Sequence, residues 1–370
     1  MATFDIASVD ANLAVANAVN APDLELHDVR KAPFQIYGLY QPQTEPVFKR
    51  IPTDVAEKTS DVVRDLSCHT AGGRVRFSTD SPYVVIKAVM PKATHFSHMP
   101  LTGTSGFDLY IDSPNGCESL YLRTFVPPYH MTQGYESKLA LPGTGMRYVT
   151  VNFPLYNAVS DLYIGVAKGS ALGAGAPYRD IAPIVYYGSS ITQGGCASRP
   201  GNAYQSIISR MLCVDHINLG FSGNGKAEDT IVSYMAGLHM SAFVCDYDHN
   251  APNAAYLRAT HQKMYDAIRE KNPTLPYIMI SRPDYFHGEE DSIARRQVVV
   301  DTYHYAIAKG DRNVYFIDGS SVFRGPMEDS CTVDGCHPND LGFSKMADAV
   351  ACVLKRAMRD GKLSKYAQGD

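Results

Sequence analysis

Tryptophan is absent from all 370 positions, although tyrosine occurs 24 times. Tyrosine is common in sandwich strands, so this aromatic bias fixes no ligand by itself. No run of about eighteen apolar residues occurs, and without one no membrane-spanning helix is expected. Nor is either charge in excess: 34 Lys and Arg face 38 Asp and Glu, a formal net charge of −4. Such a chain offers no basic footprint for nucleic acid or an anionic membrane, and neither is expected as a partner. Cys-x-x-Cys pairs are missing, which disfavours a zinc ribbon. The eight cysteines (Cys68, Cys117, Cys196, Cys213, Cys245, Cys331, Cys336 and Cys352) are scattered rather than framed. Cys213, Cys245 and Cys352 fall in apolar segments and read as small buried hydrophobes. Cys331 and Cys336 lie close enough in sequence for a small disulfide in an oxidising compartment, although spacing alone does not establish bridge geometry. Asp5 and Asp10 stand where a secretory signal needs a cationic start and an apolar stretch. The compartment stays open between an intracellular protein and a mature secreted or periplasmic form.

What is present suits a globular protein. Hydrophobic residues make up 45% and charged residues 19%, and the length accommodates two domains. The two halves differ in texture. Residues 1–24 read as a helical or irregular lead-in, the only helical stretch expected before the middle of the chain. Residues 25–170 carry short β-rich runs between turn formers, among them 74–78, 83–89, 106–111 and 148–153. Many short strands with frequent turns predict an antiparallel sandwich of jelly-roll type. Gly169 to Pro177 forms a Gly/Ala/Pro-rich hinge.

From 178 to 370 the pattern alternates. Strands are expected at 184–187, 216–219, 241–246, 276–281 and 313–318, and helices at 202–213, 227–238, 254–270, 292–309 and 341–359. Such alternation predicts a parallel sheet covered on both faces, with ligands at the carboxyl ends of its strands.

Four segments carry chemistry, three of them at those strand ends. Gly188-Ser189-Ser190-Ile191-Thr192 leaves the first strand and offers a hydroxyl near a helix N-terminus, though small residues also simply make a βα turn. It is not a Gly-x-Ser-x-Gly elbow. Gly220-Phe221-Ser222-Gly223-Asn224-Gly225 follows the second strand, where glycines let backbone N–H groups approach a substrate. Neither dinucleotide nor P-loop spacing is present, so no nucleotide cofactor is expected. Asp246-Tyr247-Asp248-His249-Asn250 follows the third strand; Asn250 can donate its amide to an oxyanion, and the cluster also suits helix capping. The late segment Asp334-Gly335-Cys336-His337 precedes the last helix and sets a carboxylate three residues before an imidazole. At that spacing one turn lets the carboxylate orient a general base.

Taken in this order, the four blocks resemble the SGNH (GDSL-type) hydrolases over residues 181–355. The resemblance implies a flavodoxin-like three-layer α/β/α domain. It also implies a triad of Ser190, His337 and Asp334, and an oxyanion hole from Ser190, Gly223 and Asn250. Gly106-Phe107-Asp108-Leu109-Tyr110 resembles the Gly-x-Asp-Leu-Tyr signature of a sandwich domain found ahead of such hydrolases. Its plain reading is a strand with inward Leu and outward Tyr. Ser189 replaces the common Asp before the nucleophile, and Asp248 the usual glycine before Asn250; both departures are expected to alter the rim of the site.

The implied activity is hydrolysis of short-chain, chiefly acetyl, esters on a carbohydrate, without a cofactor. Alternatives are a catalytically inactive carbohydrate-binding or interaction protein, and an acyltransferase or phospholipid acetylhydrolase on the same fold. Arg282 and Tyr285 are further candidates for substrate contact. His95 and His98 form half a metal site without a matched third ligand, so no metal is expected. Nothing in the sequence sets the oligomeric state.

Overall fold

The computed structural model describes residues 19–283 and 290–365. The lead-in expected over 1–24 lies mostly outside them. Ten strands build the first half: β1 (Leu24–Asp28), β2 (Gln35–Tyr37), β3 (Arg74–Thr79), β4 (Tyr83–Val89), β5 (Phe107–Asp112), β6 (Ser119–Phe125), β7 (Gly134–Ala140), β8 (Arg147–Asn152), β9 (Asp161–Ala167) and β10 (Leu172–Ala174). They form two antiparallel sheets, ordered β1-β9-β4-β7 and β10-β3-β8-β5-β6, with β2 beside β3. Alternate residues from both sheets interdigitate: Val84, Ile86 and Ile164 from one meet Val75, Phe77, Leu109 and Val151 from the other in a single buried cluster. Period-2 alternation directs that core, since successive side chains point to opposite faces.

Two expectations change here. The region read as strands and turns also holds helices α1 (Thr53–Thr59) and α2 (Asp61–Ser67), and a short α3 (Leu101–Thr104). Ala56 and Val63 pack not into the sandwich but with Val185, Leu219 and Ile231 of the second half. Their apolar residues are too few for a clear helical period. The Gly/Ala/Pro stretch is likewise no free hinge, because Leu172–Ala174 pairs with Phe77–Thr79.

The second half is a parallel sheet of β11 (Ile184–Gly188), β12 (His216–Gly220), β13 (Ala242–Asp246), β14 (Tyr277–Ile280) and β15 (Val314–Ile317), ordered β12-β11-β13-β14-β15. Helices α4 (Ser190–Gln193), α5 (Tyr204–Leu212), α6 (Asp229–Ala236), α7 (Ala254–Lys271), α8 (Glu290–Ala308), α9 (Gly319–Val322) and α10 (Asp340–Arg359) connect and cover it. The sheet separates two cores. Tyr187, Phe243 and Tyr277 face one with α6, α7 and α8, while Tyr186, Val244 and Ile278 face the other with α5 and α10. Buried on both sides, such strands read as continuous apolar runs. Strand order reverses between β11 and its neighbours, which opens a crevice at their carboxyl ends. Cys213 and Cys245 are buried as expected, but Cys352 is exposed on α10.

Polar contacts lock the halves together. Asp108, fully buried on β5, accepts from Asn152 Nδ2 at 2.8 Å, from Arg199 Nη1 at 3.0 Å and from the Gly201 amide at 2.8 Å. Tyr110 is buried rather than outward, and its hydroxyl meets Arg199. The Gly-x-Asp-Leu-Tyr segment is therefore a clamp on the second half. Arg50, also buried, donates to the carbonyls of Leu66, His69, Asn218 and Gly220 and so fixes the end of β12.

Candidate active site

The turn leaving β11 is held in a tight polar frame. A Cβ on Gly188 would lie 1.7 Å from Asp246 Oδ1 and 2.2 Å from Thr192 Oγ1, so only glycine fits. Ser189 caps α4 by accepting the Ile191 amide at 3.1 Å, which makes Ser190 the first helical residue. An amide in that position has no partner within its own helix. Asp246, at the end of β13, accepts hydrogen bonds from the Thr192 hydroxyl, from Tyr204 Oη at 3.2 Å and from the Ser189 amide. Burial pushes its carboxyl up to about 7, against the opposing pull of the Thr192 and Tyr204 hydroxyls. The Thr192 carbonyl in turn accepts from Gln205 Nε2 and Asn218 Nδ2, each at 2.7 Å. The turn that carries Ser190 is pinned on every side.

His337 arrives from a second, locally specified loop. Val333 N–H donates to the His337 carbonyl at 2.9 Å and Asn339 N–H to that of Cys331 at 3.0 Å, closing the segment like a small hairpin. Gly335 supplies the left-handed φ of 79° inside it. The Asp334 carboxylate accepts the Cys336 amide at 3.0 Å, the His337 amide at 2.7 Å and His337 Nδ1 at 2.8 Å. Partial burial opposes its charge, yet those donors prevail and hold the carboxyl down at about 2. The other ring nitrogen, Nε2, lies 2.9 Å from Ser190 Oγ. Asp334, His337 and Ser190 form one continuous hydrogen-bonded line. Asn339 then caps α10 through the Leu341 and Gly342 amides, and Asp340 holds Ser198, which joins this loop to the chain just after α4.

The two oxyanion candidates belong to the loops after β12 and β13. The first loop is tied to the Ser190 turn, where the Phe221 amide donates to the Gly188 carbonyl at 2.9 Å. Gly223 adopts φ of 69° in a turn closed by Asn224 and Gly225 N–H groups on the Phe221 carbonyl. Open space surrounds the position of its missing Cβ. Asn250 accepts the Gly225 amide through Oδ1 at 3.1 Å, which fixes the side-chain orientation and turns Nδ2 away as a donor. Gln193, unmarked in the sequence, accepts the Ser222 amide at 3.0 Å and donates to the Leu155 carbonyl at 3.1 Å. Tyr156 of the first half donates to the Ser190 carbonyl at 3.1 Å. Sandwich residues thus buttress the site, which no spacing within the second half could reveal. Asp246 was more accessible to inference, as a carboxylate ending an apolar five-residue strand.

Other candidates fall differently. Arg282 donates through Nη2 to the Gly335 carbonyl at 3.3 Å, bracing the Asp334 loop. Tyr285 lies outside the described residues. Ser189 and Asp248, expected on the rim, are both buried. Asp248 accepts the Arg282 amide at 3.0 Å and His249 Nδ1 at 3.1 Å, and so ties the ends of β13 and β14 together. Cys331 is buried, and its Sγ meets the Met327 carbonyl at 3.4 Å. His95 packs on Tyr129, whereas His98 joins Cys196 and His337 with ligand atoms all within 4.8 Å of one another. The histidine pair noted in the sequence is thus divided, and only His98 stands beside other potential ligands.

Residues 182–355 match the family of GDSL-like lipases and acylhydrolases, and residues 24–172 match the N-terminal region of SGNH-hydrolase-type esterases. No protein of curated function matches the sequence. Among solved structures, a GDSL-like lipase from Bacteroides ovatus is similar, at 27% identity and TM-score 0.78 over 93% of this chain and 100% of that one. A salicylyl-acyltransferase of a tetracycline biosynthetic pathway shares the fold at 17% identity and TM-score 0.72, over 92% of this chain and 99% of that one. A family two carbohydrate esterase from Cellvibrio japonicus does so at 11% identity and TM-score 0.59, over 91% and 98%. Among the described residues no helix is long and apolar enough to cross a membrane.

Proposed function

From a chain that belongs to the GDSL-like lipase and acylhydrolase family through residues 182–355, and that carries the matching N-terminal half, we propose a serine esterase. The observation that carries this reading is the line of contacts from Asp334 through His337 to Ser190, at 2.8 and 2.9 Å. Ser190 Oγ attacks the ester carbonyl while His337 Nε2 takes its proton. Asp334 holds Nδ1–H and stabilises the imidazolium that forms. Charge developing on the carbonyl oxygen is met by the backbone amides of Ser190 and Gly223 and by Asn250 Nδ2. His337 then protonates the departing alcohol, leaving an acyl-enzyme. Water, deprotonated by the same imidazole, releases the acid and restores Ser190.

A short acyl group, chiefly acetyl, on a carbohydrate is the substrate class we assign. Support comes from the two-part fold, shared at the level of architecture with family two carbohydrate esterases. Turnover across acetylated saccharides and p-nitrophenyl esters of rising chain length tests it. Highest kcat/KM on acetyl esters, with acetate released from saccharides, is the expected result. A rise with chain length, or no release from any saccharide, overturns the substrate assignment.

A further inference from the structure

We infer that His98, Cys196 and His337 form a site for a soft divalent cation such as zinc, and that its occupation switches hydrolysis off.

The donor set fits. Two imidazoles and one thiol bring their ligand atoms within 4.8 Å of one another. A tetrahedral zinc ion asks for donors about 3.3–3.7 Å apart, from metal–ligand bonds of about 2.0–2.3 Å. Closing the difference takes roughly an ångström of movement. His98 is exposed and free to supply it, while its ring already stands 5.4 Å from that of His337, centroid to centroid. Three protein ligands leave the fourth position for water.

Two of the three donors are held in place. The turn after α4 carries Cys196 at a φ of 70° and directs Sγ at the His98 carbonyl, 3.4 Å away. The backbone around it is held from both sides, since Thr102 Oγ1 donates to the Ser198 carbonyl at 2.6 Å and Asp340 accepts the Ser198 amide at 2.9 Å. Asp334 grips His337 at Nδ1, the carboxylate–histidine arrangement that presents the other nitrogen to a metal. That other nitrogen is Nε2, the base facing Ser190.

Coordination therefore withdraws the lone pair that takes the Ser190 proton. As the metal–sulfur bond forms, the Cys196 thiol gives its proton to buffer, so charge and atoms balance. His98 and Cys196 have no part in the hydrolytic steps. The site adds a control to the reaction rather than a second chemistry.

Cobalt(II) reports the site independently of any activity, because thiolate ligation gives a charge-transfer band and tetrahedral geometry strong visible bands. Chelator-treated full-length protein is expected to show both with one equivalent of cobalt. Zinc should displace the cobalt and inhibit p-nitrophenyl acetate turnover, with recovery on adding chelator. Cys196→Ala should lose the thiolate band. His98→Ala, a change at an exposed residue, should raise the zinc needed for half-inhibition about 100-fold or more. No thiolate band in the wild type, a band that persists in Cys196→Ala, or unchanged zinc sensitivity in His98→Ala each overturns the site. The inhibition arm rests on the proposed hydrolysis, whereas the cobalt spectrum decides the site even if no ester is turned over.

Discussion

Asp108 and Arg199 form a 3.0 Å ion pair across the junction of the two halves, with the Asp108 side chain wholly removed from solvent. The same carboxylate holds the Gly201 amide, so one side chain on a sandwich strand fixes the chain segment that follows α4. Removing Asp108 leaves three donors, Asn152 Nδ2, Arg199 Nη1 and the Gly201 amide, without their acceptor. Asp108→Ala is expected to lose about 3–5 kcal/mol of unfolding free energy, read from denaturant melts. A loss within the ordinary surface range of about 0.5 kcal/mol would contradict the clamp.

Asp246 gives stability a pH dependence. Its carboxyl is raised from 3.8 to about 7 by burial, so the folded state binds the proton that the unfolded state has already released. The favourable contribution is full below the unfolded value and is lost as pH rises through the folded one. Stability should decline between pH 4 and pH 7 with a slope of up to about 1.4 kcal/mol per pH unit from this group. Asp246→Asn should flatten that slope. An equal slope in the variant would refute the assignment.

Asp334 acts in the opposite sense. Held at about 2, it stays ionised throughout the working range, and its contribution is lost only as pH falls through that value. Asp334→Asn should lower kcat about 10⁴-fold at neutral pH, because the imidazole then loses its orienting acceptor. Steady-state kinetics on p-nitrophenyl acetate measure this. Retained kcat would remove Asp334 from the mechanism.

Asn250 is expected to act on kcat and leave KM nearly unchanged. Loss of one oxyanion donor costs about 10²–10³ in rate. Asn250→Ala should show that drop. A rise in KM alone would reassign the residue to ground-state binding.

Much of the fold is legible in the sequence because both periods are strong where elements are well covered. Apolar strands such as Ile184–Gly188 and Ala242–Asp246 sit between helices with clear apolar faces, and the parallel sheet follows from them. The Asp334–His337 relationship is legible for a local reason, since one turn sets its geometry. What stays hidden is long-range. Helices α1 and α2 are short, and their packing on the parallel-sheet side is decided by tertiary contact rather than propensity. Tyr156, Arg50 and the grouping of His98 with Cys196 depend on how sandwich loops meet the second half, and no periodicity encodes that. Ser189 and Asp248 read as rim changes because sequence shows identity without depth.

The most direct test of the account is the site of modification by a fluorophosphonate, read by peptide mass spectrometry. A Ser190 activated by His337 and Asp334 should be labelled stoichiometrically in the folded wild type and lose that labelling in His337→Ala. Ester turnover with Ser190 unmodified, or label carried by another residue, would contradict it.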